Sequence, residues 1–151
     1  MAKRKKHDAD LPERRYQAAG GVVIHEGYML LLDRPGREEI RLPKGHIDPG
    51  ESPDVTAVRE TAEESGYGDL VIVADLGSRT VIFDHNGVHF VREEHYFLMD
   101  LGSDEQVERS KTDADQFNPM WVEMDQAADQ LTFPAEQEVA RLAAAQYAAL
   151  G

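Results

Sequence analysis

The chain of 151 residues contains no cysteine. Disulfides, iron–sulfur clusters, thiolate zinc sites and thiol nucleophiles are therefore excluded, and a reducing cytoplasm is the expected location. Long apolar runs are also missing. No stretch approaches the roughly 18 residues that a membrane-spanning helix needs. Met1–Asp10 has a basic start with no apolar segment behind it, so no secretory signal is expected. Basic side chains are scarce: 16 Lys and Arg stand against 29 Asp and Glu, for a formal net charge of −13. An acidic chain lacks the clustered basic surface that nonspecific nucleic-acid binding requires. What is present, 41% hydrophobic residues over the length of one ordinary domain, suffices for a core.

The charge is unevenly spread. Residues 1–15 hold Lys3, Arg4, Lys5, Lys6, Arg14 and Arg15 against three acids, while the rest holds 10 basic and 26 acidic side chains. A flexible basic arm over 1–15 and a single domain over 16–151 are expected. The arm is the one segment suited to RNA or an anionic surface, although short charged termini are ordinarily solvated tails.

Gly20–Ile24 and Tyr28–Leu32 read as strands joined at Glu26-Gly27, and Ile40–Leu42 as a third. Ser52, Pro53 and Asp54 form a helix start and Gly66 its stop. Leu70–Asp75, Ser78–Phe83 and Val88–Leu101 are β-rich, with Asn86-Gly87 as a tight hairpin turn. Gly102–Gln116 reads as a polar loop and Met120–Val122 as a strand. Asp125 is expected to cap a short helical piece. A closing helix follows Phe133-Pro134, with Val139, Leu142, Ala143, Tyr147 and Leu150 spaced to face a core. This order predicts an α+β fold, a mixed sheet with helices packed on it.

The middle helix carries the chemistry. At 100° per residue Val55, Val58 and Ala62 share one stripe, the expected core face, while Glu60, Glu63 and Glu64 cluster nearly opposite. Three carboxylates on adjacent turns repel one another unless a cation sits among them. Oxygen donors without thiolates point to Mg²⁺ or Mn²⁺. Arg59, one turn before Glu63, is placed to orient it by an ion pair. A solvated acidic helix face is the ordinary alternative.

Gly45-His46-Ile47-Asp48-Pro49-Gly50-Glu51, followed after seven residues by Arg59-Glu60-Thr61-Ala62-Glu63-Glu64-Ser65-Gly66-Tyr67, resembles the Nudix box. All its fixed positions match, and Thr61 and Tyr67 stand where an aliphatic residue is usual. The resemblance implies an α/β/α sandwich that hydrolyses a nucleoside diphosphate linked to a further group. It implies metal ligation by Glu60, Glu63 and Glu64 with the backbone carbonyl of Gly45, and catalytic roles among Arg59, Glu63, Glu64 and a glutamate from a later strand, for which Glu93 is the candidate. Glu51 and Gly66 take structural roles in the box.

Leu42-Pro43-Lys44-Gly45-His46 resembles the diadenosine polyphosphate hydrolases of that family, which implies phosphate contacts from Lys44 and His46. The strand Val91–Met99 resembles that of bacterial members acting on dinucleoside polyphosphates and adds Arg92 as a phosphate contact. Alternation sends Arg92 and Glu94 to one face and Glu93 and His95 to the other. Phe83 stands where that group usually has a tyrosine, and with Tyr28, Tyr96, Phe117 and Phe133 it completes the candidate base platforms. The expected activity is a Mg²⁺-dependent cleavage of a diadenosine polyphosphate to ATP plus AMP. Damaged nucleoside triphosphates, capped RNA and diphosphoinositol polyphosphates are the alternative substrates. A non-catalytic nucleotide-binding module is the alternative of another class.

Overall fold

The two Asn-Gly-like turns govern how the sheet begins and ends. Glu26 and Gly27 have φ of 50° and 85°, and Asn86 and Gly87 have 50° and 74°. Two successive left-handed residues are what a two-residue hairpin matched to strand twist requires. The first turn joins β1 (Glu13–His25) to β2 (Tyr28–Arg34), the second β5 (Leu70–His85) to β6 (Val88–Leu101). The computed structural model describes residues 11–151. The expected arm over 1–10 lies outside them, and because β1 starts at Glu13, residues 13–15 belong to the sheet rather than to the arm.

The remaining elements are β3 (Glu39–Arg41), β4 (Lys44–His46), α1 (Pro53–Ser65), α2 (Lys111–Gln116), β7 (Asn118–Glu123), α3 (Met124–Gln130) and α4 (Pro134–Ala149). The sheet runs β3-β2-β1-β6-β5, with β4 paired to β1 and β7 to β2. β1 and β6 are parallel from Glu13 opposite His89 to Val23 opposite Met99, and the other pairings are antiparallel, so the sheet is mixed. β1 pairs with β4 and β6 over its first part and with β2 at Ile24 and His25. Gly20 and Gly21 sit where it divides. A Cβ at Gly20 would stand 2.7 Å from that of Lys44, and one at Gly21 2.6 Å from Thr61 Oγ1. Only glycine lets β4 and α1 approach this closely.

Strand alternation gives each sheet face its own core. Val22, Ile24, Leu31 and Leu98 pack with Ala127 of α3, Leu131 just after it, and Val139 and Ala143 of α4. Ala19, Val23, Leu30, Phe97 and Met99 pack with Ala57 of α1 on the other face. The box helix and the closing helix therefore cover opposite faces, as the α/β/α expectation requires. No described helix is long and apolar enough to cross a membrane.

Four local expectations need correction. α1 buries Thr56, Ala57, Thr61 and Ser65, while Val55 is 51% exposed; close approach to Gly21 selects small side chains over the apolar stripe. Leu142 and Leu150 of α4 are exposed, and Glu136 is buried instead. The polar segment 102–116 contains α2, capped by Ser110 Oγ, which accepts the Asp113 N–H at 3.1 Å. Asp125 lies in the first turn of α3, and Glu123 occupies the cap position.

Candidate active site

The loop before α1 is tied to the helix by Glu51 rather than by Ser52, whose side chain makes no capping bond. Glu51 Oε1 accepts from Thr56 Oγ1 (2.6 Å), the Asp48 N–H (3.2 Å) and Arg59 (2.9 Å), and Oε2 accepts from Arg59 Nε at 2.7 Å. The Arg59 guanidinium, followed by the Thr56 hydroxyl, holds the Glu51 carboxyl down to about 2. Arg59 also donates to Glu60 (2.9 Å), Glu63 (3.0 Å) and the His46 carbonyl (3.3 Å). Hydrogen bonding to Glu51 is the largest influence raising the pKa of Arg59 above its ordinary value. Gly66 ends the helix with φ 85°, its N–H bonded to Ala62 O at 2.9 Å.

The three helix carboxylates occupy different environments. Glu63 is exposed. Glu60 lies against Gly45, where a Cβ would overlap its carboxylate, so the glycine of the box makes room for this acid. Burial raises the Glu60 pKa against the pull of Arg59. Glu64 accepts the Lys44 N–H at 3.1 Å, and burial pushes its carboxyl up to about 8. Among the described residues no three acidic or histidine side chains converge on one point. Arg59 takes the position among Glu51, Glu60 and Glu63 that a cation between carboxylates would take. The donor set nonetheless fits a divalent ion: hard oxygen ligands, with Glu60 and Glu64 made costly as anions by burial, a cost that a bound cation reverses.

On the Lys44–His46 turn, which Glu60 and Glu64 touch, opens a cavity of about 870 Å³ whose lining does not include the α1 acids. Its lining includes Arg14, Arg15, Arg34, Arg37, Arg41, Lys44 and Arg92 against Glu39, Asp84, Glu94 and Glu136. An excess of cations here contrasts with the −13 of the whole chain. The Arg34 guanidinium is destabilised by burial and then by the neighbouring Arg37 and Arg41, so its pKa falls below the ordinary value. Arg34 and Arg41 both lie over the buried Phe117 ring, at 5.4 and 5.9 Å. At the other end Tyr16 packs on His46 (centroids 4.3 Å) and edge-on to Phe90 (6.1 Å), and Phe83 stacks on Phe90 (5.1 Å).

The expected site residues divide on this geometry. Lys44, His46, Phe83 and Arg92 all line the cavity. Lys44 does so with its charge committed to Glu136 at 2.7 Å. Phe83 is no free platform, because the Arg92 guanidinium lies 4.8 Å above its ring. Arg92 is itself paired with Glu94 (2.5 Å) and donates to Tyr16 Oη (3.0 Å). Glu93 faces away from Arg92, is exposed and accepts from Thr80 Oγ1 at 3.2 Å, so the structure does not bring it into the cavity. Of the other rings, Phe133 alone joins Phe83 in lining the cavity; Tyr96 is buried and donates to Glu94 at 3.0 Å. Tyr16, Glu94, Glu136 and the Arg34–Arg37–Arg41 group are additions to the sequence reading. Three arginines within eight residues of an acidic chain were a signal for the last of these; an acid beside the apolar stripe of the closing helix was one for Glu136.

The NUDIX domain family matches residues 14–144. The chain is 35% identical over 137 residues to the mutator protein MutT4 of Mycobacterium tuberculosis, covering 83% of this chain and 53% of that one. It is 33% identical over 112 residues to an RNA pyrophosphohydrolase of Proteus mirabilis, covering 64% of each. The chain thus spans between half and two thirds of the length of these relatives. Among solved structures, a binary complex of an Ap4A hydrolase from C. elegans superposes with a TM-score of 0.70 at 26% identity, over 89% of this chain and 98% of that one. With the box residues Gly45, Glu51, Arg59, Glu60, Glu63, Glu64 and Gly66 assembled on one loop and helix, the chain belongs to the Nudix hydrolase family.

Proposed function

We propose that the chain is a divalent-metal-dependent pyrophosphohydrolase of dinucleoside polyphosphates, cleaving diadenosine tetraphosphate to ATP plus AMP. The observation that carries this reading is the cationic, ring-walled cavity bounded by Lys44 and His46 of the turn that Glu60 and Glu64 touch, in an otherwise acidic molecule. Such a cavity concentrates field of one sign where a polyanion must enter. Bound Mg²⁺ or Mn²⁺, held by Glu60, Glu63, Glu64 and the Gly45 carbonyl, supplies Lewis acidity and a more acidic water. The protein does the remainder. Arg34, Arg37 and Arg41 meet phosphate oxygens as forked donors. His46 and the wall of Tyr16, Phe83 and Phe90 flank the nucleoside end. Arg59 fixes Glu51, Glu60 and Glu63, and one of the α1 carboxylates takes the water's proton.

The likeness to the C. elegans Ap4A hydrolase supports this choice of substrate. A second reading, 5′-triphosphorylated RNA, is favoured by Arg14 and Arg15 at the cavity and by the RNA pyrophosphohydrolase relative. Measuring kcat/KM side by side for diadenosine tetraphosphate, triphosphorylated RNA, an oxidised deoxynucleoside triphosphate and a diphosphoinositol polyphosphate separates the readings. The first substrate is expected to lead. A lead of roughly tenfold by any other, equivalent to about 1.4 kcal/mol of transition-state binding, overturns the choice.

A further inference from the structure

One wall of the cavity holds a buried ion pair that the reaction does not use directly. Glu136, in the first turn of α4, and Lys44 expose 3% and 4% of their side-chain surface. One oxygen of Glu136 accepts the Leu42 N–H at 2.6 Å and the other accepts Lys44 Nζ at 2.7 Å. A single carboxylate thus grips both ends of the Leu42-Pro43-Lys44 turn, across more than 90 residues of sequence. That turn is the part of the backbone facing the catalytic helix. The Lys44 N–H donates to Glu64, and Gly45 lies against Glu60. Pairing of β4 with β1 holds the turn from residue 44 onward, Arg41 pairs with Leu32 before it, and the Pro43 carbonyl accepts the Gly21 N–H at 3.2 Å; Glu136 adds the bond to the Leu42 N–H and the ion pair with Lys44. Burying two charges for stability alone is poor design, since an apolar pair of similar volume is often as stable.

We infer that Glu136 is a positioning residue for the reaction. It acts through the Leu42–Gly45 turn to set Glu60 and Glu64 against the phosphate chain. The inference rests on the hydrolase reading above, and residues supporting metal-binding acids from behind commonly matter as much as this assignment requires. It also explains why the lysine lining the cavity has its charge committed: it balances Glu136.

The experiment compares Glu136→Ala, the double variant Lys44→Met/Glu136→Leu and Leu101→Ala, all assayed below their melting temperatures with diadenosine tetraphosphate. Glu136→Ala strands the Lys44 charge in the interior, which can prevent folding; the double variant removes both charges and keeps the test open. Both are expected to lose roughly tenfold or more in kcat, with KM within about twofold and a raised requirement for Mg²⁺. Leu101 is buried at the end of β6, well past Tyr96, which lies level with Lys44 across β1. Leu101→Ala is expected to lower the melting temperature while leaving kcat intact. Amide exchange at Leu42 and Lys44 should accelerate in the double variant and not in Leu101→Ala. Full kcat in a folded double variant, or an equal loss in Leu101→Ala, overturns the inference. If the wild type cleaves none of the substrates, the hydrolase reading fails, and the exchange pattern still decides whether Glu136 holds the turn.

Discussion

Burial pushes the Glu64 carboxyl to about 8, against 4.5 for the free group, because the Lys44 N–H alone does not replace the water it has lost. The folded chain therefore holds a proton between those values that the unfolded chain has released. The stability this confers is fully present below 4.5 and is lost as pH rises through 8. Without divalent ions, the melting temperature of the wild type should fall from pH 5.5 to pH 8 more steeply than that of Glu64→Gln; parallel slopes would refute the assignment. The same variant should lose roughly 100-fold or more in kcat, because it removes a carboxylate proposed to hold the metal. Glu51 shifts the other way, to about 2 from 4.5. Its contribution is present above 4.5 and disappears as pH falls towards 2. Glu51→Gln should accordingly lie well below wild type in melting temperature at pH 7, with the gap reduced by roughly half or more at pH 3, as calorimetry at the two pH values would register. An unchanged gap at pH 3 would mean that Glu51 holds the loop by shape rather than charge.

On the scale of elements, α1 shows what close packing asks of a helix. Thr61 stands at a box position usually filled by a bulky apolar side chain, and its buried Oγ1 has no hydrogen-bond partner. An unpartnered buried hydroxyl costs about 1–3 kcal/mol. Thr61→Val keeps the shape and removes the hydroxyl, so the melting temperature should rise by about 2–4 °C per kcal/mol recovered; a drop would mean the hydroxyl is paired in solution. The same helix marks where sequence reading succeeds and fails. The box acids and Arg59 are legible because their chemistry stands at fixed spacing, and the hairpins because Glu26-Gly27 and Asn86-Gly87 leave little choice of turn. The buried face is centred on Ala57 and Thr61, with Val58 packed at its margin and Val55 exposed, because the small size that Gly21 imposes outweighs apolarity. α2 was hidden in a polar segment whose helix depends on its Ser110 cap. The grip of Glu136 on Lys44 joins residues 92 apart, and no local pattern announces it.

For the molecule as a whole, the opposition of charges is the informative feature. A body of net charge −13 repels a polyphosphate, while the arginines of one cavity attract it. Salt screens such long-range attraction, with a Debye length that shrinks from about 30 Å at 0.01 M to about 10 Å at 0.1 M. KM for diadenosine tetraphosphate should therefore rise several-fold over that range with kcat little changed, and Arg37→Gln should flatten the dependence. A KM indifferent to salt in the wild type would remove electrostatic capture from the account. The fold itself follows from an alternation that sends Val22 and Ile24 to one helix layer and Ala19 and Val23 to the other. The Lys44–His46 turn links the two: Lys44 and His46 line the cavity, while the Lys44 N–H and Gly45 meet Glu64 and Glu60 of α1.

The most direct test of the central claim is incubation of the protein with diadenosine tetraphosphate and Mg²⁺, with and without EDTA, followed by chromatographic separation of the products. The account predicts ATP plus AMP, abolished by the chelator, because an asymmetric cut needs one oriented water beside the Glu60 and Glu64 carboxylates. Two molecules of ADP, or tight binding of the dinucleotide with no product at all, would contradict it.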